Sequence, residues 1–241
     1  MNKVLVLGAS GATGQLLVKI LLQKGIEVIA IVRSSSSLTD SGISHPNLQI
    51  IEAEIIEMSE KDLDLCLRDC GVVLSCLGHN LTFKGIFGHP RRLVTDAIKK
   101  VTKIIESIQT DKKIKIILMN TTGNSNRDIP EIPPFSQRLV IFLLRILLPP
   151  HVDNEKAADF LRLQVGQNHD KIEWAAVRPD GLVNEIEISQ YDIHASPIRN
   201  PIFDAGTTSR INVADFMSKL AISSALWNTW KGKMPVIYNH V

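Results

Sequence analysis

Three glycines near the start of the chain, in Gly8-Ala-Ser-Gly11-Ala-Thr-Gly14, have the spacing of a phosphate cradle. An apolar run, Lys3-Val-Leu-Val-Leu7, precedes them and an apolar-periodic stretch follows, so strand, tight turn and helix are expected in that order. In such a turn Gly8 permits the sharp reversal, Gly11 lets backbone approach a pyrophosphate, and Gly14 allows the helix to pack closely on the strand. Ser10, Ala12 and Thr13 share the turn and the helix start, where unpaired N–H groups and the positive end of the helix dipole face the phosphates. A second apolar strand about twenty residues on supplies the context that separates a dinucleotide turn from an ordinary glycine loop. The chemistry read from these residues is dinucleotide binding.

The second strand decides which dinucleotide. In NAD-binding units a carboxylate near its end accepts hydrogen bonds from the adenosine ribose. Here the run Glu27-Val-Ile-Ala-Ile-Val-Arg33 ends in a guanidinium, and Glu27 lies at the wrong end to substitute. An arginine fork suits the 2′-phosphate of NADP, and Ser34 and Ser35 add hydroxyl or backbone donors. NADP (as NADPH) is therefore favoured over NAD; the alternative is a solvated arginine at a strand end.

These groups need elements to hold them. Strand-like runs at 3–8, 27–33, 48–53, 72–76, 114–120, 173–178 and about 235–238 alternate with helical patterns at 12–24, 59–69, 91–109, 135–148, 153–167 and 212–226. That alternation predicts an α/β fold, a doubly wound, mostly parallel sheet in three layers. The strands are apolar almost throughout, as sheets covered on both faces require. One domain spanning 1–241 is expected, with residues from about 179 to 210 as a small cap over the cofactor.

Ligands of such sheets lie outside the carboxyl ends of the strands. That rule nominates Glu54 and Ile55 near the adenine, and Cys76, Leu77 and Gly78 along the ribose and pyrophosphate. Asn120, Thr121, Thr122 and Gly123 fall near the nicotinamide, and Pro179 closes the sixth strand.

Composition excludes several classes. At 241 residues with a net charge of +2, the chain is too mildly basic to imply a nucleic-acid partner. The lysine clusters Lys99, Lys100, Lys103 and Lys112, Lys113, Lys115 read as solvated faces. Cys66, Cys70 and Cys76 are an odd set without metal spacing and are expected as buried thiols; no metal is expected. The first strand begins within three residues of Met1, leaving no room for a leader, so a cytoplasmic protein is expected. The apolar run 135–148, ended by Pro149-Pro150, carries Arg138 and Arg145 and is too short to span a bilayer. It is expected to pack against the sheet; a substrate lid, a homodimer face, a protein-partner surface or a peripheral membrane contact are the alternatives.

Beyond the glycine turn and Arg33, Trp174-Ala-Ala-Val-Arg-Pro-Asp-Gly-Leu182 and Ser209-Arg-Ile-Asn-Val-Ala-Asp-Phe216 resemble elements of the atypical short-chain dehydrogenase/reductases. The resemblance spans nearly the whole chain and is closest to the NAD(P)H-binding, NmrA-like group that includes flavin (biliverdin) reductase B relatives. It implies a Rossmann fold and a catalytic Tyr-x-x-x-Lys preceded by a Ser or Thr after strand five. Lys156 falls in the lysine position, where it would also hold the nicotinamide ribose, but Val152 stands where the tyrosine would be. Thr121 or Thr122 could orient a substrate oxygen, or merely cap the turn. His151 neighbours the vacant position and could substitute by its pKa, but it sits one residue off, about 100° around the helix, and is expected as an exposed loop histidine.

A missing general acid costs about 10²–10⁴-fold, which penalises ketone chemistry far more than hydride acceptance by a conjugated system. The resemblance therefore implies an NADP-dependent oxidoreductase acting on a small-molecule acceptor of the flavin, quinone or tetrapyrrole class. Its alternative is a catalytically inactive NADP-binding regulator or assembly protein of NmrA-like type.

Overall fold

The computed structural model describes residues 3–79, 88–110, 112–131 and 134–240, with the backbone alone at Phe135. Strand β1 (Lys3–Leu7) leads through the glycine turn into α1 (Ala12–Gln23), and β2 (Glu27–Val32) pairs parallel to β1. A short α2 (Ser36–Thr39) precedes β3 (Leu48–Glu52), which pairs parallel to β2. The chain then passes through α3 (Glu60–Leu67) and crosses to β4 (Val72–Ser75), on the other side of β1. After α4 (Leu93–Ser107), β5 (Ile114–Met119) extends the sheet. Helices α5 (Phe135–Leu147) and α6 (Pro149–Phe160) follow, the latter running into a π turn (Leu161–Val165), before β6 (Ile172–Pro179).

The strand order is β3-β2-β1-β4-β5-β6-β10-β8, with β10 (Val236–Asn239) parallel to β6 and β8 (Tyr191–His194) antiparallel at the edge. This is the doubly wound, mostly parallel sheet the alternation predicts, a Rossmann-like arrangement. Its direction reverses between β1 and β4, which opens a crevice at their carboxyl ends.

Alternate residues of each strand feed two cores. Leu5 and Leu7 point into a layer with α3, α4 and α6, while Val4 and Val6 point into one with α1, α7 (Arg210–Ile222) and α8 (Ser224–Trp230). Fully burying each such side chain contributes about 1.5–3 kcal/mol, so both faces of the sheet are anchored.

Several elements differ from expectation. Pro149-Pro150 does not simply stop α5 but opens α6, because proline's fixed φ suits a first helical turn and needs no N–H donor there. The late helix is two: Ser209 and Ser223 each cap a separate start, accepting from the N–H groups of Asn212 and Leu226. Residues 179–210 contribute β8 to the main sheet and build a small parallel pair, β7 (Gly181–Val183) with β9 (Thr207–Ser209).

Helix α5 departs from the expectation that it packs against the sheet. Gln137 and Ile141 face inward, but Leu139, Phe142, Leu143, Ile146 and Leu147 are each 45–63% exposed. Those five positions recur at helical spacing and form one outward apolar stripe.

Candidate functional site

At the crevice between β1 and β4 lies a cavity of about 260 Å³, walled by the ends of the first four strands. Nine of the nominated cofactor residues line it: Gly8, Ser10, Gly11, Arg33, Glu54, Ile55, Cys76, Leu77 and Gly78. Ala12, Thr13 and Gly14 form the first turn of α1 directly behind the glycine turn.

The turn is built as its glycines require. Gly8 has φ +71°, and a Cβ there would stand 2.7 Å from the Cys76 carbonyl group, so β1 and β4 could not close on the turn around any larger residue. At Gly14 a Cβ would lie 2.1 Å from the Gly8 carbonyl oxygen, which fixes how closely α1 approaches the strand. No side chain caps the α1 N-terminus and no acidic residue occupies its first turn. Its N–H groups and dipole end are left for an external anion. These features fit the pyrophosphate of a dinucleotide.

Arg33 is exposed at the cavity wall and has no ion pair among the described residues. Its neighbours are engaged elsewhere: Ser34 Oγ hydrogen-bonds Ser36 Oγ at 2.8 Å, and the Ser35 N–H donates to Glu52 Oε2 at 2.9 Å. Sequence reading found no carboxylate at the end of β2; the sheet supplies one from β3, through the Val32–Glu52 register. The Ser35 backbone bond, then its side chain, hold the Glu52 carboxyl below the ordinary range. Burial pushes the Cys76 thiol up to about 12, so the cavity wall there offers a neutral group rather than a thiolate.

At the ends of β5 and β6 most polar groups are committed. Thr122 Oγ1 donates to Asp180 Oδ1 at 3.0 Å, and Asp180 Oδ2 accepts the Gly206 N–H. Thr121 Oγ1 accepts the Gly123 N–H at 3.3 Å. Asn120 reaches the Asn154 carbonyl and so ties β5 to α6. Pro179 is buried within β6 against Ile237, away from the cavity wall. Arg178, wholly buried, clamps Glu131 with two bonds of 2.8 and 2.7 Å and also donates to three backbone carbonyls.

His151 is not an exposed loop residue. It belongs to α6, its side chain is only 10% exposed, and its ring packs beside Gly123. Burial lowers its pKa, Glu155 pulling upward and Arg145 downward, so the imidazole is neutral near pH 7. Lys156 is exposed and lines a different recess, with Val152, Arg91, Arg92 and Arg145. The structure therefore does not bring Lys156 to the cavity at the glycine turn.

Asp153, between these positions, escaped sequence reading. Its carboxylate accepts the Val94 and Thr95 N–H groups at the start of α4, at 2.8 and 2.9 Å, and meets His79 Nε2 at 2.8 Å. Burial alone would raise its pKa, but the bonds from His79, Thr95 and Val94 hold it below the ordinary value. The available signal was its spacing, one residue past Val152, though nothing local identified its partners 58 and 74 positions away.

No group of three or more potential metal ligands occurs among the described residues, and no described helix is long and apolar enough to cross a membrane.

A sequence search found no matching curated protein. Solved structures share the fold at low identity. A short-chain dehydrogenase/reductase from Veillonella parvula, in complex with NADP, is 15% identical with a TM-score of 0.68, over 99% of this chain and 94% of its own. ChuY, an anaerobillin reductase from Escherichia coli O157:H7, is 16% identical with a TM-score of 0.67, over 99% and 97%. A proposed NADH-flavin reductase from Streptococcus pneumoniae is 16% identical with a TM-score of 0.67, over the full length of both chains. The family model described as NAD(P)H-binding matches residues 8–223, from the first glycine of the turn to the end of α7. With its cradle, its uncapped helix and its strand order already in place, the chain belongs to the NAD(P)H-binding family.

Proposed function

We propose that this protein is an NADP-dependent reductase that passes hydride to a conjugated small-molecule acceptor of the flavin, quinone or tetrapyrrole class. The observation that carries this reading is a cofactor cradle beside strand ends that, among the described residues, hold no tyrosine and whose other candidate proton donors are already engaged or neutral. Val152 replaces the family tyrosine, the Thr122 hydroxyl is spent on Asp180, and burial keeps His151 neutral. Tyr191 is no substitute: its hydroxyl donates to Asp215, and burial raises its pKa to about 12. The bound dinucleotide supplies a hydride from its nicotinamide. The chain's part is to position the acceptor against the nicotinamide, while solvent delivers the proton that completes its reduction. Among the similar structures, the anaerobillin reductase and the proposed flavin reductase act on acceptors of this kind by name.

The unpaired Arg33 supports NADP over NAD. Arg33→Asp is expected to weaken NADPH binding by about 1.5–3 kcal/mol, the worth of a charge-assisted contact, and to narrow or invert the preference over NADH. Titration of nicotinamide fluorescence checks this, and unchanged affinity for both cofactors sinks the assignment. For the reaction itself, NADPH absorbance decay with FMN, riboflavin, quinones and a tetrapyrrole should exceed that of a Gly11→Val control.

The exposed stripe of α5 favours a second reading, a non-catalytic NADP-binding regulator or assembly protein that docks through 135–148 as a homodimer or on a partner. NADPH binding without turnover on any acceptor, with a dimer in light scattering that Leu143→Asp dissociates, would support that reading over the first.

A further inference from the structure

Three cations without an ion-pair partner among the described residues, Arg91, Arg92 and Lys156, meet Arg145 around one recess of about 220 Å³. Arg145 is held in place by two bonds to Glu155, of 2.9 and 2.8 Å. Asp153 also lines the recess, but its carboxylate is consumed by His79 and by the Val94 and Thr95 N–H groups. Glu155 matches Arg145 and the wall holds one carboxylate, so the cations left without an ion pair among the described residues, Arg91, Arg92 and Lys156, give it net positive charge. Cations gathered in this way repel one another, and a docked anion relieves that repulsion. Arginine forks match the oxygens of phosphate and carboxylate in particular.

The recess borders the cofactor cavity. His89 and Pro90 line the cavity while the next two residues, Arg91 and Arg92, line the recess, so one short segment is wall to both. Val152 and Lys156, at the positions the family resemblance assigns to catalysis, also line the recess. We propose that this recess binds the anionic tail, a phosphate or a carboxylate, of the molecule that accepts hydride. The proposal rests on the reductase reading and narrows it: phosphorylated flavins and carboxylate-bearing tetrapyrroles are preferred to neutral quinones.

Matched ligand pairs test it in the full chain saturated with NADP⁺, which keeps the cofactor cavity filled. FMN and riboflavin differ only in the phosphate, and biliverdin and its dimethyl ester in the two carboxylates that the methyl esters neutralise. Wild type should bind the anionic member of at least one pair about tenfold or more tightly, a gap of about 1.4 kcal/mol. Inorganic phosphate should compete with it. Arg91→Gln and Arg92→Gln should each shrink that gap. A gap for FMN alone identifies a phosphate ligand, and a gap for biliverdin alone a carboxylate. Equal binding within both pairs in wild type, or a gap that survives in both variants, overturns the proposal. Absence of NADPH oxidation with these four and with quinones would defeat the reductase reading instead, while the binding gap still decides the recess.

Discussion

Gly14 carries the strictest packing demand in the glycine turn. The 2.1 Å approach to the Gly8 carbonyl oxygen involves backbone on both sides, so no rotamer change can relieve it. Gly14→Ala must push α1 away from β1, and overpacking of this kind costs about 1–3 kcal/mol. A lowered melting temperature and weakened NADPH binding are expected together; a variant that melts and binds like wild type would refute the packing argument. The cysteines allow a second check. Burial raises Cys66, and lifts Cys70 and Cys76 to about 12. A thiol reagent at pH 8 should leave all three unlabelled in the native protein and label three after denaturation, because thiols this far from ionisation are poor nucleophiles. Rapid native labelling would mean that the cavity wall at Cys76 opens. At this scale the sequence was most readable where one residue type does one job, as Gly8 and Gly14 do in allowing close approach. It was least readable where the role depends on a distant partner, as with Asp153, Glu52 and the Arg178–Glu131 clamp.

Helix α5 illustrates what periodicity cannot decide. Its run is apolar on nearly every side, so the pattern predicts a helix without saying which face turns inward. The structure buries Ile141 and leaves Phe142 and Leu143 outside. Truncations should separate them. Ile141→Ala is expected to cost about 2–5 kcal/mol, whereas Phe142→Ser and Leu143→Ser should stay within about 0.5 kcal/mol, as exposed substitutions do. Chemical denaturation measures all three. Costs at Phe142 and Leu143 equal to that at Ile141 would mean that the stripe is covered in solution. The prolines between α5 and α6 misled for a related reason, since proline ends one helix and starts another with the same fixed φ. Short β8 gave no strand signal because edge pairing to β10 needs no apolar run of its own.

Across the whole molecule, the alternation of strands and helices revealed the sheet because every central strand is apolar on both faces, a property local enough to read along the chain. The coupling between layers was not legible, and it governs how the fold responds to pH. His151 joins α6 to the loop after β5, facing Glu155 and Arg145, and burial lowers its pKa below the ordinary 6.5. The unfolded chain then binds more protons than the folded one below about pH 6.5, so stability must fall as pH drops through that range. The depressed carboxyls work lower on the scale. Burial alone would raise Asp153 and Asp215, but hydrogen bonds from His79, Thr95 and Val94 to the first, and from Lys219 and Tyr191 to the second, hold them down. Their contribution is present above the unfolded value near 4 and is lost as pH falls through their folded values. Two stages of acid destabilisation are therefore expected. One unmatched proton is worth at most about 1.4 kcal/mol per pH unit, so the His151 stage should appear as a modest slope in melting temperature as pH falls below about 6.5. His151→Gln should flatten that stage and leave the steeper loss below pH 4 intact. Superimposable curves for wild type and variant would show that the imidazole protonates as freely in the folded protein as in the unfolded chain. In that case its packing beside Gly123 would exert no hold on its charge.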